Sequence, residues 1–490
     1  MYKKIKSASF LGAKSLPIHV EISATQGLPQ ETIIGLPDTV IKESRARIKS
    51  AILLSGFKFP AMSYVINLSP TDVLKRNTSL ELAISTAFLM VTEQISIDES
   101  LCFIGSIALD GSITQIRQIL PLIYFLPNYL DFTFVISKKN EADIAPLHGL
   151  RYIAIEHLHD LKQLNASQIV TVKFTAPTFL KSLINFDEVK GHALAKKACV
   201  FSIIGRHPLL FIGSPGIGKT MLIQRMQSLQ PPLNHHQSLE NCCMELLINN
   251  QFKYDPSPPY RTPHHSISYA GMIGGKNPPQ PGEITRANHG LLFLDELGEY
   301  HRHILETLRE PLENKCIQLS RAGTSISFPA DFLFLAAMNP CYCGHYFDTK
   351  TACRCLPSQI QKYWQKISQP LLDRISLCVI LSKPNHNDIS FTHHEMISMV
   401  KTGISISKKR NPKAIPNQLL EIDAIYEMSS ISEKSDYILT NFLSKHQHSI
   451  RAKRRILQLS RTIADANNET RILNNHITMA IQLSQHHHLH

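Results

Sequence analysis

The chain has 490 residues, 43% hydrophobic and 18% charged, an ordinary globular composition at a length that one hydrophobic core does not support, so about three domains are expected. A formal net charge of +12 favours a polyanionic partner, nucleic acid first, with a merely basic soluble protein as the alternative. No apolar run approaches the roughly 18 residues of a membrane span, and no apolar segment follows the basic start Met1 to Lys6 as a secretory leader requires. A cytoplasmic, reducing location is therefore expected, in which the ten cysteines serve a metal sooner than disulfides.

In chain order, residues 1–162 read as an α/β domain. Ile18–Ile22 and Tyr64–Leu68 have strand character, and Thr39–Leu54 has helical spacing with basic residues on its polar face. Residues 163–185, which include Pro177, read as a linker, and 186–384 alternate strand and helix as a three-layer α/β unit does. Residues 385–490 read as a helical lid, with four amphipathic helices over 416–485 and breaks near Glu433, Gln447 and Asn467–Thr470. The tail His486–His490 has metal-binding composition, although a frayed terminus is the plainer expectation.

The most informative stretch lies in the central unit. Gly213-Ser214-Pro215-Gly216-Ile217-Gly218-Lys219-Thr220 follows the apolar run Leu209–Ile212 and precedes the helix-compatible Met221–Met226. Glycines let consecutive backbone N–H groups turn onto phosphates, a lysine reaches the β and γ oxygens, and a hydroxyl serves Mg²⁺. Leu291–Leu294 then ends in Asp295 and Glu296, a Walker B pattern: Asp295 for the Mg²⁺ shell beside Thr220, Glu296 as the general base for water. ATP and Mg²⁺ are the implied cofactors. The apolar run from Phe332 ends in Asn339, a sensor 1 candidate of the AAA+ kind, placed to hydrogen-bond the γ-phosphate or the water. Arg374 in Pro370–Arg374 is the candidate arginine finger for a neighbouring subunit's nucleotide, with an ion pair to Asp373 or Glu310 as the plain alternative. Arg451, at the start of a lid helix, is the sensor 2 candidate, while Lys453, Arg454, Arg455 and Arg461 read as a solvated or DNA-facing surface.

Two further segments carry chemistry. Residues 262–283, rich in proline and glycine, read as a mobile loop that brings His264, His265, Tyr269 and Lys276 to nucleic acid; an ordinary packed surface loop is the alternative. Cys341, Cys343, Cys353 and Cys355 form two close pairs joined by a turn, a ligand set for structural Zn²⁺. His345 is a possible substitute ligand, and four reduced thiols are the alternative.

Taken together, the runs Arg261–Ser268, Gly274–Ile284, Gly290–Leu297 and Leu308–Glu313, with Thr462–Asp465 in the lid and Gly35–Arg45 near the start, span nearly the whole chain. In these runs the chain resembles the Mg-chelatase-like AAA+ ATPases of the ComM/YifB type. The resemblance implies a Lon-protease-like N-terminal domain, an AAA+ P-loop core and a C-terminal helical lid, an α/β chain assembling as a homo-hexamer. It further implies an insert reaching DNA in the ring's pore, and ATP-driven branch migration during recombination of incoming DNA in natural transformation, with recombination proteins as possible partners. The Lon likeness raises a rival reading, a Ser-Lys protease with Ser79 as nucleophile. By the register of Gly105–Leu120, however, the lysine position is Leu120, so no base is expected there. Metal insertion into a porphyrin is the other rival, against which the chain shows no integrin-like metal-binding domain.

Overall fold

The computed structural model describes residues 1–11, 14–35, 39–71, 78–177, 184–249, 253–275, 280–321, 324–348, 351–383, 390–411, 415–445 and 449–484. Lys276, the expected boundary at 384/385, the break at Gln447 and the tail His486–His490 lie outside the described residues, as do positions 36–38 of the run Gly35–Arg45.

The N-terminal region is built on an eight-stranded sheet. Its strands lie in the order Val170–Thr171, Arg151–Ile155, Thr133–Ser137, Cys102–Ile104, Tyr2–Leu11, Lys14–Thr25, Ser63–Ser69 and Gln30–Ile34. The expected strands Ile18–Ile22 and Tyr64–Leu68 are the centres of longer ones, and the helix Thr39–Leu54 spans the expected residues. In Lys14–Thr25 the alternating Ile18, Val20, Ile22 and Ala24 are buried, the period of a strand with one face on a core. That core is closed by the helix Glu81–Val91, buried at every position. Val170–Thr171 pairs antiparallel with Arg151–Tyr152 and Val172 is buried, so this part of the expected linker completes the N-terminal sheet.

The central sheet is five-stranded and wholly parallel, in the order Tyr260–Arg261, Leu291–Leu294, Leu333–Met338, Leu209–Ile212 and Leu377–Ile380. Strands covered on both faces read as continuous apolar runs, which is why Leu209–Ile212, Leu291–Leu294 and Leu333–Met338 are buried throughout. Leu209, Phe211, Leu291 and Phe293 face the helix Ala193–Gly205 and the lid, whereas Leu210, Ile212, Leu292 and Leu294 face Leu297, Tyr300, Tyr363 and Trp364. The helix His235–Asn249, between the P-loop and the edge strand, sends Leu239, Cys242, Cys243 and Leu246 into an apolar cluster with Ile119, Leu120 and Ile123. The N-terminal region and the central unit thus share a core.

The C-terminal part is helical: His393–Arg410, Ile422–Met428, Glu433–Lys445, Ile450–Ala466 and Asn474–Leu483. The Thr392/Glu395 capping box fixes the start of the first of these. One expectation fails here. Arg455 is 9% exposed and Arg461 only 1%, so neither belongs to a solvated or DNA-facing surface. Leu457, Leu459 and Ile463 surround them on the same helix and are buried too. Arg461 is held by Asp465, the Ser429 hydroxyl and the Thr470 carbonyl.

Candidate active site

Parallel register brings the site together. Ile212 pairs with Met338 and Leu294 with Ala336, so Gly213, Asn339 and Asp295 emerge from the carboxyl ends of three adjacent strands, where open α/β sheets bind ligands. Gly216 and Gly218 have φ of +74° and +99°, the left-handed region that turns backbone N–H groups inward, and Gly218 caps the helix Lys219–Arg225. Ser214, Pro215 and Ile217 complete this turn.

Lys219 is 9% exposed. Its ammonium donates to the carbonyls of Gly213 (2.6 Å) and Ser214 (3.0 Å) and to Asn339 Oδ1 (3.0 Å). Burial pushes its pKa below the usual lysine range, with Asp295 and Glu296 pulling the other way. A bound triphosphate favours the charged form of a lysine so placed. Thr220 Oγ1 donates to Asp295 Oδ2 at 2.7 Å, so the hydroxyl and carboxylate suited to Mg²⁺ are already paired, both hard oxygen donors. Glu296 stands in the left-handed region at φ 51°, its N–H bound to Asp295 Oδ1 at 2.9 Å. Its side chain is 60% exposed, as a base that must reach water requires.

The insert differs from the expected mobile loop. It holds the helix Tyr269–Ile273, capped by Ser268, and a ladder between Gly274–Gly275 and Gln280–Pro281, and Met272 is fully buried. Arg261 grips Glu283 through two 2.7 Å hydrogen bonds, which ties both ends of the segment together. His264 and His265 lie ring on ring with centroids 4.0 Å apart, and His265 Nδ1 is 3.8 Å from Glu296 Oε2. Through His265 this pair, expected to reach DNA, also borders the candidate base, a contact over 31 positions that no local pattern announces.

Among the described residues, Arg374 and Arg451 make no hydrogen bond or ion pair to the P-loop. Arg374 is ion-paired with Glu313, a partner one turn beyond the expected Glu310. Arg451 is exposed at the start of Ile450–Ala466. On that helix the buried Arg455 donates to the Asp373 carbonyl at 3.1 Å, linking the lid to the turn that carries Arg374.

The four cysteines do converge. Sγ–Sγ distances are 3.4 Å for Cys341–Cys343, 3.6 Å for Cys341–Cys353 and 3.5 Å for Cys343–Cys353, and all four sulfurs lie within 4.8 Å of one another. Tetrahedral zinc with Zn–S of ~2.3 Å asks for sulfur separations of about 3.8 Å. Backbone N–H groups of His345 and Arg354 pull the Cys343 thiol down to about 6, and Cys355 Sγ accepts the Cys343 N–H at 3.4 Å. His345 does not join them: its Nδ1 faces Asp348 at 3.3 Å.

The rival protease site is closed. Ser79 is 0% exposed with its hydroxyl on the Ala8 carbonyl at 3.1 Å, and Leu120 is buried in the apolar cluster.

A five-stranded parallel sheet with the sensor strand between the P-loop and Walker B strands, followed by a helical lid, defines an AAA+ ATPase. Family models agree: "Magnesium chelatase, subunit ChlI" matches residues 185–389, "Subunit ChlI of Mg-chelatase" 20–140 and "Magnesium chelatase, subunit ChlI C-terminal" 392–484. The chain is 32% identical over 494 residues to the competence protein ComM of Haemophilus influenzae (97% of this chain, 96% of the relative). It is 33% identical over 489 residues to the uncharacterized protein YifB of Escherichia coli (97% and 96%). Similarity to the magnesium-chelatase 38 kDa subunit of Cereibacter sphaeroides is 24% over 181 residues (33% and 54%). The chain belongs to the ComM/YifB-type Mg-chelatase-like family.

Proposed function

We propose that this ATPase is a ring-forming DNA motor, a helicase that drives branch migration in the recombination of incoming DNA during natural transformation. The observation that carries the ring is the position of Arg374. Its side-chain partners are Glu313 and the Pro370 carbonyl, which fits an arginine that serves a neighbouring subunit's phosphates. The DNA substrate is supported by whole-length similarity to a competence protein and by the net charge of +12. A homo-hexamer working in the cytoplasm beside other recombination proteins fits the same reading. Among the described residues no helix is long and apolar enough to cross a membrane.

Bound MgATP supplies the γ-phosphoryl group and the ion that neutralises its charge. The P-loop N–H groups and Lys219 hold the phosphates, with Thr220 and Asp295 on the ion. Asn339 orients the γ-phosphate or the water, and Glu296 takes the water's proton. Arg374 and Arg451 act on the neighbouring subunit's nucleotide. His264, His265 and Lys276 contact DNA, which puts the His pair between nucleic acid and Glu296. Zn²⁺ at Cys341, Cys343, Cys353 and Cys355 belongs to the same reading as a structural ion.

ATP hydrolysis measured with and without single- or double-stranded DNA tests the substrate. DNA is expected to stimulate turnover, and Lys276→Ala with His264→Ala to blunt that stimulation. Hydrolysis indifferent to every DNA form favours a remodeller or chelatase-like ATPase acting on a non-DNA partner, the reading that the chelatase-subunit similarity keeps in view.

A further inference from the structure

The turn that carries the first cysteine pair touches the nucleotide site. Gly344 has φ +80°, and its N–H donates to the Cys341 carbonyl at 3.0 Å. A Cβ at this glycine would lie 2.5 Å from Pro215 Cδ and 3.9 Å from Asn339 Cγ. The knuckle therefore packs directly on the P-loop and alongside the sensor amide. Behind it, Trp364 Nε1 donates to the Pro340 carbonyl at 3.0 Å, and Tyr363 meets the Tyr342 ring edge-on at 4.9 Å. Tyr363 also fills the space over Gly298, where a Cβ would come within 2.6 Å of its ring. The cysteine turn thus sits between the P-loop, sensor 1 and the turn after Walker B.

Between the sensor strand, which ends at Met338, and the helix that starts at Pro357, the described residues contain no helix or strand. Backbone ladders do not fix this segment, and the sulfur cluster is what can. We propose that Cys341, Cys343, Cys353 and Cys355 hold one Zn²⁺, and that the metal-locked knuckle is a brace that sets the P-loop at Pro215 and the side chain of Asn339 for nucleotide. Soft thiolates select zinc over magnesium or calcium. Four protein ligands leave no open coordination position, so the ion positions residues and does no chemistry itself. Loss of zinc frees the knuckle, and the phosphate cradle loses its wall on that side. The proposal rests on the reading of the P-loop as an ATPase site. It extends that reading by making nucleotide competence depend on a second metal that takes no part in the phosphate chemistry.

The test uses full-length protein without an added histidine tag, zinc by elemental analysis, and KM and kcat for MgATP. Wild type is expected to carry about one zinc per chain. Gly344→Ala keeps all four thiols and is expected to keep zinc, while its added methyl against Pro215 shifts KM or kcat roughly tenfold. Cys353→Ser is expected to lose zinc and hydrolysis together, and Cys353→His, which restores a ligand, to recover both in part. Should Cys353→Ser fail to fold, Gly344→Ala with retained zinc and an unchanged melting temperature decides the matter. Active wild type without zinc refutes the metal site and leaves the ATPase reading intact. Zinc-loaded Gly344→Ala with wild-type KM and kcat refutes the brace. Wild type that hydrolyses no ATP refutes the ATPase reading itself, and the brace with it.

Discussion

Thr220 Oγ1 donates to Asp295 Oδ2 at 2.7 Å across 75 positions of sequence, so the hydroxyl and the carboxylate proposed to hold Mg²⁺ stand side by side. Beside them Lys219 spans from the Gly213 and Ser214 carbonyls to Asn339. An ammonium held this way is buried and already aimed by its carbonyl and amide partners. Preorganisation of this kind lowers the reorganisation cost at the moment of reaction.

Glu296→Gln separates binding from chemistry. The amide keeps the side chain's size but takes no proton, so MgATP binding is expected to persist while kcat falls about 10²- to 10⁴-fold. Nucleotide binding by equilibrium titration, set beside steady-state hydrolysis, checks both halves. Equal loss of binding and turnover would mean that Glu296 is part of the cradle and not the base.

Arg374→Ala is expected to lower hydrolysis by about 10³-fold or more, the scale of a removed arginine finger. Mixing it with Lys219→Ala subunits supplies intact Arg374 next to intact P-loops. Activity should then reappear although each variant alone is inactive. No recovery on mixing would return Arg374 to its ion pair with Glu313 as a local structural contact.

How much of this was legible follows from how far apart the cooperating residues lie. The P-loop is contiguous, and strands buried on both faces announce themselves as apolar runs, so Lys219, Asp295, Glu296 and Asn339 were readable at their positions. The lid's four helical segments between 422 and 483 were readable from period and polar breaks for the same reason. The fates of charged residues were not. Arg461 looks solvated in a one-dimensional string, because its counter-charge Asp465 also serves Arg410 from another helix. His265 beside Glu296, Arg374 on Glu313 and Gly344 on Pro215 depend on packing that brings distant segments into register. Only the spacing of the cysteines hinted that the last of these segments folds back on itself.

Asp465 is 0% exposed and accepts from Arg410, Asn417 and Arg461. Asp465→Ala leaves two arginines without their anion, one of them buried, and is expected to cost about 3–5 kcal/mol. Urea unfolding followed by circular dichroism measures it. A change below about 1 kcal/mol would show that the network behaves as a surface ion pair.

His207 gives the lid interface a pH dependence. Its Nε2 lies 2.7 Å from Thr462 Oγ1, whose own proton goes to the Gln458 carbonyl at 3.1 Å, so Nε2 carries the imidazole proton. Nδ1 is buried without a partner among the described residues, and burial holds the ring's pKa down to about 3. The unfolded chain takes up the second proton near pH 6.5, the folded chain only near 3. This contribution is therefore fully present above about pH 6.5 and is lost as pH falls toward 3, at up to ~1.4 kcal/mol per unit. Unfolding midpoints at about pH 7.5 and 5.5 should fall less on acidification for His207→Gln than for wild type. Equal falls would assign the acid sensitivity elsewhere.

Branch migration on a synthetic three-stranded or Holliday junction, run with wild type and Lys219→Ala, decides whether this ATPase moves DNA. Wild type with MgATP is predicted to resolve the junction into migrated products, while Lys219→Ala binds the junction and leaves it in place. Wild type that hydrolyses ATP at full rate yet never moves the junction would mean that hydrolysis drives something other than DNA movement.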